Sequence, residues 1–147
     1  MSKEVRLAAM NLLARREHSQ QELHRKLINK GFEADEVRAD LAILVEEGLQ
    51  SDERFTEAFI NSRLQRGSGP VKIALELQQR GVAESTVKEY LDERDPQWTQ
   101  CAIEVRNKKY GEAAPDDFKE RSRQMRFLQY RGFTMQQIQQ AVGEEID

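Results

Sequence analysis

The sequence predicts an all-α protein built of three tandem three-helix, helix-turn-helix-like repeats in an elongated, curved array. Three observations lead there. Of 147 residues, 38% are hydrophobic and 33% charged, and Glu, Gln, Lys, Arg, Leu and Ala dominate, a composition of exposed amphipathic helices. One pattern recurs at a period of about 50 residues: Leu27 to Phe32, Leu77 to Val82 and Leu128 to Phe133, each with glycine as its fifth member. Pro70, Pro96 and Pro115 stand where helices can begin.

The pattern encodes a helix, a tight turn and a second helix. Gly31, Gly81 and Gly132 follow the last periodic leucine, where a left-handed residue ends a helix and lets the next apolar side chain fold back on the turn. Six residues beyond each glycine stands Val37, Val87 or Ile138, and ten beyond stands Leu41, Leu91 or Val142, so the second helix keeps one apolar register. Upstream, Leu23 and Ile73 extend the leucine stripe by one turn, and Gln124 interrupts it in the third copy, which predicts different packing there. Ser19 with Glu22, and Thr134 with Gln137, have the spacing of capping boxes, and Ser51 can cap the helix that follows it. A further apolar helix precedes each pair, through Val5, Ala8, Ala9, Leu12 and Leu13, then Phe55, Ala58 and Phe59, then Trp98, Cys101, Ala102 and Val105.

Helices are therefore predicted near residues 3–16, 19–30, 34–47, 52–66, 70–80, 84–93, 96–110, 116–131 and 135–145, in repeats spanning 1–49, 50–94 and 95–147. Stacked helix pairs that each bury one stripe make a curved rod, which offers surface in place of a deep pocket.

No residue pattern points to catalysis. His18 and His24 are six apart, on different sides of any common helix, and are read as surface residues with no zinc-spaced partner. Cys101 lies on the stripe of Trp98, Ala102 and Val105, which favours a small core hydrophobe over a nucleophile. The adjacent acids Asp116-Asp117 and Glu144-Glu145 fall at helix ends or in a tail. Gly67-Ser68-Gly69-Pro70 lacks the preceding strand and the Gly-Lys-Ser/Thr of a phosphate loop and is read as a turn. No enzyme activity, metal or cofactor is expected. The absence of any apolar run of about 20 residues, and a start without a signal core, predict a cytoplasmic chain with no membrane contact.

Charge carries more information than its net value of −3. Acid gathers between Glu33 and Glu57 and again at Glu144, Glu145 and Asp147. Base gathers around the repeat helices, and the residues singled out as electrostatic contacts are Arg25, Lys26, Lys30, Arg63, Arg66, Lys72, Arg80, Arg123, Arg126 and Arg131. Positions nine, five and one before each glycine form a predicted exposed stripe: Glu22/Lys26/Lys30, Lys72/Glu76/Arg80 and Arg123/Phe127/Arg131. Its last member is always basic, which fits either compensation of the helix dipole or contact with a partner. The cluster from Lys108 to Arg131, near Tyr110, Phe127 and Tyr130, exceeds what capping needs and suits phosphates and bases or an acidic protein surface.

Three linked stretches resemble the RecX family of bacterial recombination regulators: His18 to Leu27, Gly48 to Phe55 continuing through Gly69-Pro70-Val71-Lys72-Ile73 to Val82, and Arg126 to Phe133. The resemblance covers nearly the whole chain in order. It implies a protein of three-helix repeats that binds the RecA filament on single-stranded DNA and restrains strand exchange, ATP hydrolysis and coprotease activity. Lying along the filament groove or blocking filament extension, with some affinity for single-stranded and duplex DNA and action as a monomer, belongs to the same expectation. Where the family often carries an aspartate pair, this chain has Gln50-Ser51-Asp52. A different class of function, a freestanding helix-turn-helix DNA-binding module, would use the helices after the three glycines; Glu33-Ala34-Asp35-Glu36 and Ala83-Glu84 at their starts would repel phosphates.

Overall fold

The computed structural model describes residues 2–143; the predicted acids Glu144, Glu145 and Asp147 and the last predicted helical residues lie outside that range. The described residues form α1 (Lys3–Arg15), α2 (Gln20–Asn29), α3 (Ala34–Glu46), α4 (Asp52–Gln65), α5 (Pro70–Gln79), α6 (Glu84–Tyr90), α7 (Pro96–Tyr110), α8 (Phe118–Tyr130) and α9 (Met135–Val142), with no strand among them. All nine predicted helices are present. The chain divides into two compact units, residues 1–59 with 77–90, and residues 60–76 with 91–147, so the division passes through α4 after Phe59 and through α5 after Glu76.

The caps follow the sequence closely. Ser19 accepts from the Glu22 amide at 3.1 Å while the Glu22 carboxylate accepts from the Ser19 amide at 3.1 Å, and Thr134 and Gln137 repeat the exchange. Ser51 Oγ accepts from the Arg54 amide, starting α4. At the three repeat glycines the chain turns through φ of 101°, 81° and 98°, and the following amide, of Phe32, Val82 or Phe133, donates to the carbonyl of Leu27, Leu77 or Leu128. These are three copies of one C-cap, closed by the glycine that can take a positive φ.

Helices α6 and α8 are shorter than expected. α6 stops at Tyr90, and α8 starts late because Asp117 is its N-cap, accepting from the Glu120 amide; Asp95 likewise caps α7 through the Gln97 amide. A carboxylate that bonds the first free amides of a helix sits outside it. Pro115 consequently does not open a helix as Pro70 and Pro96 do.

In the first unit, Val5, Ala9 and Leu12 of α1 pack with Leu23 and Leu27 of α2 and with Val37, Leu41 and Leu44 of α3. Phe55 and Phe59 lie side by side, ring centroids 5.5 Å apart. The expected register holds for α2 and α3 but not for α6, which buries no residue: Val87 is only half-buried, and Leu91, also half-buried, lies beyond the helix end. In the Gln50-Ser51-Asp52 stretch, Gln50 is buried and donates to the His18 carbonyl at 3.1 Å and to Asp52 at 3.0 Å. An amide serves there because it donates to both acceptors without a buried charge.

In the second unit, Cys101, Ala102, Leu128, Phe133, Ile138, Ala141 and Val142 form the core, and Trp98 is fully buried with its indole donating to the Asp92 carbonyl. The polar position on α8 explains itself here. Gln124 is buried and accepts at 2.9 Å from Arg106, itself 3% exposed, whose other donors reach Asn107 and the carbonyls of Gly111 and Ala113. A buried guanidinium needs such a complete set of acceptors. Arg106 therefore ties down the loop after α7 and contributes no charge to the surface.

Candidate functional site

The ten basic candidates divide between the units. Arg25, Lys26, Lys30 and Arg80 belong to the first, and Arg63, Arg66, Lys72, Arg123, Arg126 and Arg131 to the second. Arg25 on α2, Lys30 at its C-cap, Arg66 after α4, and Arg123 and Arg126 on α8 are exposed. The other five are half-buried and have structural partners.

In the first unit the partners form a charged network around the start of α2. Glu22, nominally on the exposed stripe, is only 9% exposed and receives Arg16 through two nitrogens at 3.0 and 3.3 Å, with Arg80 at 3.8 Å. Arg80 also lies over the Phe59 ring, 4.8 Å from its centroid. Burial works against the Glu22 carboxylate, but Arg16 and the Ser19 amide outweigh it and hold its pKa below the ordinary value. His18, expected at the surface, is 1% exposed. It directly precedes the Ser19 cap, the position from which a side chain folds back over the first helical turn. Its Nδ1 lies 3.0 Å from the Arg16 carbonyl and its Nε2 2.9 Å from Lys26 Nζ, an arrangement that suits a neutral ring donating at Nδ1 and accepting at Nε2. Burial lowers its pKa despite the Arg16 carbonyl, and burial also lowers that of Lys26.

In the second unit Arg131 bonds the carbonyls of Arg66 and Gly67 at the end of α4, and Arg63 pairs with Glu76 at 3.4 Å. Arg123 pairs with Glu120 one turn away at 3.6 Å. Lys72 Nζ stands 5.1 Å from the centroid of Tyr130, a ring that is 77% exposed. Tyr110 meets Phe127 edge to face at 5.7 Å, and Lys109 Nζ lies 4.1 Å from the Phe127 centroid. Of the aromatic and basic residues expected together from Lys108 to Arg131, Lys109, Tyr110 and Phe127 are brought together, while Tyr130 meets Lys72 and Arg123 meets Glu120. Cys101 is buried as a core residue, and burial followed by the neighbouring Glu104 pushes its thiol pKa up, away from a nucleophile's range.

The predicted exposed stripe is a correction. Glu22 is buried, and Lys26, Lys72, Glu76, Arg80, Phe127 and Arg131 are half-buried, because this face of each helix is packed by other elements of its own unit. The cation before the glycine has a different duty in each copy: Lys30 is an exposed C-cap, Arg80 pairs with Glu22, and Arg131 caps α4. The buried roles of His18 and Arg106 were missed. The signals present were the N′ position of His18 and the unexplained Gln124, which required a polar partner.

Residues 6–39, 51–91 and 95–142 match, in that order, the first, second and third three-helix domains of RecX. The chain is 46% identical over 142 residues to the regulatory protein RecX of Halorhodospira halophila, covering 97% of this chain and 88% of that protein. The chain belongs to the RecX family. A second RecX regulatory protein, from Pseudomonas savastanoi pv. phaseolicola, is 44% identical over 134 residues, 91% of this chain and 86% of its own. The crystal structure of RecX from Lactobacillus salivarius shares the fold with a TM-score of 0.78 at 18% identity, over 95% of this chain and 92% of that one. The all-helical, three-domain RecX architecture and a regulatory role follow from this membership. Among the described residues no helix is long and apolar enough to cross a membrane.

Proposed function

We propose that the chain binds the RecA nucleoprotein filament on single-stranded DNA and restrains its recombinase, ATPase and coprotease activities, acting as a cytoplasmic monomer in the control of DNA repair, recombination and the SOS response. The observation that carries this reading is the relation to RecX regulatory proteins across almost the whole chain. The exposed Arg25, Lys30, Arg66, Arg123 and Arg126 are assigned as electrostatic contacts to RecA or to DNA within the filament. Lys26, Arg63, Lys72, Arg80 and Arg131 have intramolecular partners and are assigned to holding the surface. The boundaries 1–49, 50–94 and 95–147 are kept as the proposed repeats.

The starts of α3 and α6, after two of the repeat glycines, speak against an autonomous DNA-reading module. Glu33 caps α3 through its own carboxylate, with exposed Asp35 and Glu36 in the first turn, so that end of the helix presents negative charge. The test is the single-stranded-DNA-dependent ATPase of RecA titrated with the protein at substoichiometric ratios. Inhibition is expected, weakened in Arg25→Glu with Lys30→Glu and in Arg123→Glu with Arg126→Glu at unchanged melting temperature. Unaltered ATPase and strand exchange alongside tight binding to naked DNA overturns the proposal in favour of the DNA module.

A further inference from the structure

A groove of about 430 Å³ opens in the second unit between the end of α4, α7 and the last turn of α8. Leu64, Val105, Phe127 and the sulfur-bearing Cys101 give it apolar lining. Arg66, Lys108, Lys109 and Arg131 add four cations against the single carboxylate of Glu104. Gly67 keeps one wall thin: a Cβ there would stand 2.7 Å from Val105 Cγ2 and 2.8 Å from an Arg131 nitrogen. The volume suits one or two large side chains, and an excess of positive charge around an apolar floor selects for an apolar group flanked by negative ones.

We propose that this groove is a docking site for an acidic peptide segment of a partner protein, a large apolar side chain seating between Leu64 and Val105 and flanking carboxylates meeting Lys108 and Arg66. A nucleic-acid strand fits less well for two reasons. Its bases need an open aromatic face, whereas Phe127 already carries Lys109 at 4.1 Å and packs near-perpendicular to Tyr110. Its phosphates are gripped best by forked guanidinium donors, whereas Arg131 spends Nε and a terminal nitrogen on the carbonyls of Gly67 and Arg66. An acidic peptide needs only the long-range charge of that residue and an apolar floor. The inference extends the regulatory reading by naming what one surface recognises, and rests on that reading only for the biological source of the segment.

The experiment measures fluorescence anisotropy of a labelled ten-residue synthetic peptide, one central phenylalanine with two glutamates on each side, against the full chain and without RecA. Its failure is therefore distinct from failure of the filament reading. Saturable binding is expected that falls at least tenfold in Lys108→Glu, falls similarly when the peptide phenylalanine becomes serine, and is unchanged in Lys88→Glu, an exposed residue of the first unit. Absence of saturable binding, or binding indifferent to Lys108→Glu, overturns the proposal. An oligo-dT strand that displaces the labelled peptide and binds more tightly than it at equal salt overturns it in favour of nucleic acid.

Discussion

The start of α2 in the first unit and the start of α5 in the second occupy equivalent repeat positions and make the same kind of joint, each against the glycine turn that closes the corresponding helix of the next repeat. In the first unit the joint runs through side chains: Ser19 Oγ donates to the Arg80 carbonyl at 2.8 Å, Gln21 packs where a Cβ on Gly81 would intrude, and Glu22 holds Arg80. In the second it runs through backbone: the Gly69 and Val71 amides donate to the Arg131 and Gly132 carbonyls at 2.8 and 2.9 Å. A residue without a Cβ at position 69 permits that approach, since a methyl there would stand 2.3 Å from the Gly132 carbonyl carbon. Charge changes with it. Lys72 stands where Glu22 stands in the first copy, so Arg131 has a cation in place of an acid beside its turn and reaches the carbonyl end of α4 instead. One sequence pattern thus supports either a charged, adaptable joint or a close backbone joint, according to two residues.

The largest expected effect breaks the second joint. Gly69→Ala forces backbone apart at a position where nothing flexible can yield, and should destabilise the second unit by about 2–4 kcal/mol in urea unfolding. Gly81→Ala, which would meet only side-chain atoms of Gln21, its Cβ at 2.8 Å among them, and no backbone, should cost less despite its positive φ of 81°. A near-equal loss for the two would mean that the backbone contact is not what distinguishes them.

Next in size is Ser19→Ala, which removes both a helix cap and the bond to Arg80 from a fully buried position, for about 1–3 kcal/mol. Ser19→Thr keeps the cap oxygen and should recover part of the loss; no recovery would point to packing over hydrogen bonding.

A smaller graded series compares the cations before the three glycines. Arg131→Gln should lower the denaturation midpoint most, through its two carbonyl bonds, Arg80→Gln less, and Lys30→Gln not measurably. Equal effects at all three would restore helix-dipole compensation as their common role.

The smallest effect is on pH. The folded-state pKa of His18 lies below its unfolded value, so the unfolded chain binds the extra proton first. The stability of the first unit should be complete above about pH 6.5 and decline as pH falls from there toward the folded pKa. His18→Asn should flatten that decline. Glu22, also lowered, adds a separate loss only below the ordinary carboxylate range of about 4.5. An unchanged profile in the His18 variant would show that the ring is not the titrating group.

Most of the fold was legible in the residues because helix ends are local. A glycine at the turn, a serine or threonine three residues before an acid or amide, and a 3.6-residue apolar period each act within a few residues, and all three repeat turns formed as spaced. The site was legible less evenly. Spacing along a helix identifies a common face, and the nine-five-one stripe was such a face, but spacing does not reveal what packs on it.

By itself the sequence determined nine helices, the two capping boxes, the three glycine turns and membership in a regulatory family, since each depends on short-range geometry or on identity along the chain. Tertiary structure alone decided which charges face solvent. Glu22 is drawn inward by Arg16 and Arg80, His18 by the Arg16 carbonyl and Lys26, and Arg106 by Gln124 and the Ala113 carbonyl, while Arg131 finds its acceptors at Arg66 and Gly67.

 A charged group stays buried only where folding assembles enough donors or acceptors around it, and that assembly depends on contacts between elements that no local spacing encodes.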